Sequence, residues 1–163
     1  MIACCAIGEK MQVDSGGASF LAAAMLRRFE GLRLAPYLCA AGKPTIGYGH
    51  VILPNEVSLW AGVTVGQAEM LLQNDLAWAL FAARNVGRVL TDGQAAALAS
   101  LVFNIGAQAW ACSTIRGMVM AGDMAGAAGQ FGRWNKINGE ANAALTARRF
   151  SEKRIFEGAS WNG

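Results

Sequence analysis

The segment FEGLRLAPYLCAAGKPTIGYGH (29–50) lies between two apolar runs and cannot be helical throughout. Pro36 and Pro44 lack the amide proton and fix φ, which excludes a continuous helix. Gly42, Gly47 and Gly49 permit tight turns, and Thr45, Ile46 and Tyr48 alternate with glycine. Residues 34–52 therefore read as extended and turn structure, a small antiparallel sheet. The same segment holds the only His of the chain, both Tyr and two of the three Pro.

The flanking runs have helical spacing. From about Ser19, SFLAAAMLRRF places Phe20, Ala23, Ala24, Leu26 and Phe29 along one apolar face. Gly31 should end this helix, leaving Glu30 at its C-terminus, where the macrodipole disfavours a carboxylate and mildly favours the protonated acid. Residues 54–62 indicate only a loop or short helix. Thr64 and Gln67 have the spacing of a capping box and open a pattern through Ala68, Leu71, Leu72, Leu76, Leu80 and Ala83 to about Val86. Such a helix of roughly 20 residues would be about 30 Å long, enough to connect two lobes. Thr91 and Gln94 repeat the cap before QAAALASLVFNIG, a run apolar almost all round, as expected of a central helix ended by Gly106. Ser113 or Thr114 can cap a helix through Met120. A turn at 121–123, a short helix over 124–131, a polar loop over 134–142 and an amphipathic helix from Thr146 to near Gly158 complete the chain.

The fold class expected is α+β, mainly α, with a small antiparallel β-sheet lobe joined by a long helix to a helical lobe. Residues 1–18 read as an irregular lead-in, 19–63 as the N-terminal helix and β lobe, 64–86 as the connecting helix and 87–163 as the helical lobe.

Composition narrows the function. Charged residues make up 15% of the chain and mean hydropathy is +0.30, values that exclude disorder. The net charge of +3 is spread along the chain with no run of Lys and Arg, so no nucleic-acid footprint is present. It would give only weak, salt-sensitive attraction to an anionic polymer such as a cell wall. Four Cys do not make a disulfide scaffold at this length. Cys4 and Cys5 have no second pair to complete a zinc site. In MIACCAIGEK the apolar stretch is short and meets Glu9, so neither a signal peptide nor a membrane span is expected, and synthesis is cytoplasmic. Met118 and Met120 read as core filling. Nucleophile-elbow, phosphate-loop and HExxH patterns are absent.

The residues able to carry chemistry concentrate in 29–50. Individually, Glu30 reads as a helix-end acid, Cys39 as a buried hydrophobe, Thr45 as a strand residue and His50 as a packed histidine. Together they supply an acid, a thiol, a hydroxyl and an imidazole. Partial burial of Glu30 near Phe29 or Tyr48 would help it hold a proton near neutral pH, as a glycosidase acid must. A Cys39 nucleophile with His50 as base is an open alternative whose third, orienting group is unidentified.

The 29–50 segment also resembles the signature of the phage-type lysozymes, glycoside hydrolase family 24, in which a Glu is followed nine residues later by Asp or, in a subgroup, Cys, and six further on by Thr. Glu30, Cys39 and Thr45 stand at that spacing. The resemblance continues in order through TVGQAEMLLQNDL, ALASLVFNIG, CSTI, AGDMAGAAGQFGRW and RRFSEKRIF, covering about residues 19 to 158. It implies a lysozyme-like two-lobed fold and hydrolysis of the β-1,4 bond between N-acetylmuramic acid and N-acetylglucosamine in peptidoglycan. Glu30 would be the general acid. Cys39 and Thr45 would position water or stabilise the transition state, and a covalent thioglycoside is the lesser alternative. His50 would lie near Glu30 as a supporting residue, with Tyr48 in the same turn. Asn104 would contact substrate or cap its helix, and Ser113, Thr114, Gln130 and Trp134 would form the far wall. Arg148 and Arg149 resemble the paired arginines of the last helix, one reaching the cleft to pair with Glu30 or Glu152.

No cofactor, metal or stable membrane insertion is implied, and a monomer is expected to reach the wall after holin-type release. A disulfide from Cys39 to Cys4, Cys5 or Cys112 would block the site. A lytic transglycosylase using Glu30 without water, or a non-catalytic wall-binding protein with the same fold, are the competing functions.

Overall fold

In the computed structural model, which describes residues 16–39 and 42–162, helix α3 (Asp92–Ile105) is buried on every side. Its eight consecutive residues from Ala95 to Val102 are all shielded from solvent, so no face is left for water. Thr91 Oγ1 accepts from the Gln94 amide at 3.2 Å and Gln94 Oε1 accepts from the Thr91 amide at 3.0 Å, closing the capping box. Helices α1 (Gly17–Glu30), α2 (Val65–Arg84) and α7 (Ala143–Phe156) pack directly on α3. Alanines at 95, 96, 97 and 99 keep the helix slim enough for three neighbours to approach.

Helix α2 starts with a second capping box, Thr64 and Gln67, at 3.2 and 2.8 Å. At 20 residues it spans about 30 Å and touches α1 and α3 in the helical lobe and two strands in the other. The small lobe is an antiparallel sheet of β1 (Arg33–Leu38), β2 (Pro44–Gly47) and β3 (His50–Val51), in that spatial order. Tyr37 pairs with Thr45, Thr45 with Val51 and Ile46 with His50. A 3-10 turn, Val57–Ala61, packs against β1.

Beyond α3 come α4 (Ala107–Ala111), α5 (Thr114–Ala121) and α6 (Met124–Gln130). Ser113, not Thr114, caps α5, accepting from the Arg116 amide at 3.2 Å, and Asp123 caps α6 through the Gly126 amide at 2.8 Å.

Several expectations change. Helix α1 begins at Gly17, not Ser19, because Ala18 is fully buried and packing extends the helix. Although grouped by chain order with the β lobe, α1 packs on α3 and α2. Residues 134–142 are not simply a loop: β4 (Lys136–Ile137) and β5 (Glu140–Ala141) form a hairpin. Its turn is Asn138–Gly139, both at positive φ (51° and 88°), the residue pair that favours a two-residue hairpin turn. Helix α7 starts at Ala143 because Asn142 accepts from the Leu145 amide at 3.0 Å. Nor is α7 simply amphipathic, since Arg148, Arg149 and Glu152 are all buried. The short α4 follows Gly106 without any signal that distinguishes it from a loop. Cys4, Cys5 and most of the lead-in lie outside the described residues. Among the described residues, no helix is long and apolar enough to cross a membrane.

The all-round burial of α3 sets a graded expectation for stability. Leu98→Ala, at a site with no exposure, should cost about 3 kcal/mol. Val89→Ala, at a residue 84% exposed, should stay within about 0.5 kcal/mol. Denaturant unfolding followed by circular dichroism measures both.

Candidate active site

Glu30 is the last residue of α1, and Gly31 follows at φ 68°. The helix therefore stops where the chain must turn toward the sheet, and the carboxylate projects from the end. Its Oε1 accepts from Arg148 Nη1 of α7 at 2.6 Å, so a guanidinium offsets the unfavourable helix end. Gly49, at φ +90°, brings the β2–β3 turn against the other oxygen: a Cβ there would stand 3.5 Å from Oε2. Glu30, Asn104, Leu145, Arg148 and Trp161 line one concavity of about 470 Å³. Trp161 meets Phe29 edge-on at 5.7 Å, and Arg148 lies 4.9 Å over the same Phe29 ring.

The other two positions of the spacing lie on and beside the sheet, Thr45 in β2 and buried, Cys39 just past β1. Cys39 is half-buried just beyond β1, and its amide donates to Lys43 O at 3.0 Å. Thr45 Oγ1 donates to the same carbonyl, also at 3.0 Å. One acceptor thus ties together the two positions singled out by spacing. Tyr37, paired with Thr45 across the sheet, was not among the residues singled out from sequence. Its hydroxyl is pushed above the ordinary tyrosine value by burial, against Arg33, with Glu30 and Cys39 adding to the shift.

Behind Glu30 is a buried set of charges. Glu152 Oε1 accepts from Ser100 Oγ at 2.7 Å and from Arg148 Nε and Arg149 Nη2 at 3.1 Å each. Arg149 Nη2 also donates to Asn104 Oδ1 at 3.2 Å. Burial brings the Arg149 guanidinium down to about 10 although Glu152 opposes it. Burial likewise pushes the Glu152 carboxyl up, against both arginines and Ser100. Ser113, Thr114, Gln130 and Trp134 come together elsewhere, lining a second concavity of about 390 Å³ with Cys112 and Arg133.

The comparisons with known proteins follow this geometry. The family described as phage lysozyme matches residues 27–152. The chain belongs to the phage lysozyme family. An endolysin of Acyrthosiphon pisum secondary endosymbiont phage 1 is 39% identical over 140 residues, covering 83% of this chain and 94% of the relative. The endolysin of Salmonella phage P22 is 36% identical over 149 residues, covering 90% and 98% respectively. Among solved structures, an endolysin from Escherichia coli O157:H7 phage FAHEc1 superposes with a TM-score of 0.77 at 30% identity, over 88% of this chain and 94% of that one. The protein is thus an enzyme, a glycoside hydrolase of the endolysin type.

Two residues expected to bind substrate or support the site, His50 and Tyr48, direct their polar atoms to carboxylates in this lysozyme. His50 spends both ring nitrogens on carboxylates, Nδ1 on Asp75 at 2.9 Å and Nε2 on Glu56 at 3.0 Å. It clamps β3 to α2 and to the 53–56 turn, and neither nitrogen is left to act as a base for Cys39. Tyr48 is buried, with its hydroxyl against Glu69 and Arg27. Arg27 in turn grips Glu69 with a two-pronged contact at 3.0 and 2.7 Å. Sequence spacing alone does not reveal these roles, because Asp75 and Glu69 lie on α2, and only Glu56 is near its partner in the chain. Arg148 pairs with both of the acids considered for it. Cys39 and Cys112 are not joined to each other, and any link to Cys4 or Cys5 lies outside the described residues.

Burial lowers the His50 pKa, but hydrogen bonds to Glu56 and Asp75 outweigh it and leave the value raised above 6.5. A raised folded-state value contributes stability that is full below the unfolded value of 6.5 and lost as pH rises through the folded one. Urea unfolding of wild type and His50→Asn should therefore differ most below pH 6.5 and converge as pH rises through the raised folded-state value.

Proposed function

We propose that this lysozyme cleaves the β-1,4 bond between N-acetylmuramic acid and N-acetylglucosamine in bacterial peptidoglycan, with Glu30 as general acid. The observation that carries the reading is the division of labour between the two Glu30 oxygens. Oε1 is committed to Arg148, while Oε2 stands against the Gly49 backbone on the sheet side. Oε2 is then the oxygen that delivers a proton to the leaving glycosidic oxygen. With a side chain 21% exposed, the carboxyl is screened from bulk water yet open to a ligand.

Cys39 and Thr45 act on the opposite side of the bond. The Thr45 hydroxyl donates its proton to Lys43 O, so its lone pairs are what it can offer a water molecule. Cys39 stands nine residues after Glu30, where the common form of the family carries Asp, and we read the enzyme as one of the Cys subgroup. A neutral thiol orients that water, and a thiolate would also stabilise positive charge developing on the sugar ring. The concavity holding Ser113, Thr114, Gln130 and Trp134 offers hydroxyl, amide and aromatic surface, a lining suited to a saccharide. The enzyme works as a monomer without metal or cofactor, reaching the wall by holin-type release.

Digestion of purified peptidoglycan with mass analysis of the released sugars tests the reading. Wild type should release reducing muramic acid ends, and Glu30→Gln should lower the rate by about a hundredfold or more. Anhydro-muramic ends would mean a lytic transglycosylase, and no release would mean a binding protein. In the same assay Cys39→Asp should keep hydrolysis, and Cys39→Ala should lose about tenfold.

A further inference from the structure

Arg148 is held at every nitrogen. Nη1 reaches Glu30 at 2.6 Å, Nε reaches Glu152 at 3.1 Å, and Nη2 donates to Ser100 O at 3.0 Å, with Ser100 Oγ at 3.4 Å. The Phe29 ring covers one face, and the residue is only 5% exposed. Its orientation is thus set from behind Glu30, by α3 and by the next turn of α7.

We propose that Glu152, seated by Ser100, is a positioning residue for glycoside cleavage, fixing both the angle of Arg148 and the share of its charge that reaches Glu30. The inference rests on Glu30 being the acid. Glu152 has no exposure at all, so it touches no substrate and acts through the two arginines it holds, Arg148 foremost because that one reaches Glu30. A carboxylate is an unfavourable group to bury, and an apolar side chain could fill that space. What the carboxylate adds is direction and charge. Its Oε1 accepts from three donors, an environment suited to the ionised form.

The consequence for Glu30 is electrostatic. The charged and titratable groups facing it are Arg28 of α1, which lines the same concavity, Tyr37 of β1, and Arg148 and Arg149 of α7. Glu152 balances the two arginines of α7. Without its charge, both act on Glu30 unopposed and favour the carboxylate, the form that cannot donate a proton. A role confined to tying α7 to α3 would lower stability and leave the reaction of the folded protein unchanged.

Glycan release from purified peptidoglycan, followed from pH 4 to 9 with each variant shown folded by circular dichroism, separates the two. Glu152→Gln should lower kcat on the order of tenfold with KM within about twofold, and the high-pH limb of the rate profile should move to lower pH. Glu152→Asp should recover part of kcat. A folded Glu152→Gln protein with wild-type kcat and an unmoved limb overturns the proposal. If that variant does not fold, Ser100→Ala, which removes a single hydroxyl from the Glu152 seat, is judged by the same criterion. Glu30→Gln keeps the two readings apart. Activity surviving there refutes the acid assignment itself, whereas an inactive Glu30→Gln beside a wild-type-like Glu152→Gln refutes only the positioning role.

Discussion

Burial of α3 on every side forces the arrangement of the helical lobe. A helix with no solvent face needs neighbours all round, and α1, α2 and α7 provide them. The end of α1 and the middle of α7 therefore meet over the same stretch of α3, at Ser100. That meeting brings Glu30 and Arg148 together although they are 118 residues apart in the chain. It also explains how Arg148, Arg149 and Glu152 tolerate burial. Their partners are on α1, on α3 and on α7 itself, already fixed by apolar packing, so the charges do not have to organise the helices that hold them.

The two lobes are joined by different physics. Within the helical lobe the contacts are mainly Ala and Leu side chains removed from water. Across to the sheet, polar clamps work beside the α2 packing: His50 with Asp75 and Glu56, and Arg27 with Glu69 and Tyr48. Apolar burial responds little to pH or to moderate ionic strength, whereas part-exposed ion pairs respond to both. The junction that places the sheet over Glu30 is thus the part of the protein most responsive to its surroundings.

Much of this was legible in the sequence where the signal is local. The Thr–x–x–Gln caps before α2 and α3, the glycines closing α1 and α3, and the prolines that break 29–50 each act within a few residues, and the boundaries they set fall where they were expected. Ser113, Thr114, Gln130 and Trp134, expected as the far wall of the cleft, line a concavity separate from the one that holds Glu30. The Asn138–Gly139 turn and the Asn142 cap are local signals as well, whereas the remaining differences arise from partners distant in the chain. His50 and Tyr48 stand beside Glu30 in the sequence pattern, yet their polar atoms turn to carboxylates on or before α2. The burial of Glu152 and Arg149 inside a helix with charged spacing depends on what α3 presents to it, and residue order does not encode that.

The carbonyl of Lys43 accepts both the Cys39 amide and the Thr45 hydroxyl. The two positions are therefore one mechanical unit with a common pivot, and the six-residue interval between them is a fixed lever arm rather than a spacer. Lengthening that interval would dislodge both groups at once, even if neither residue were altered.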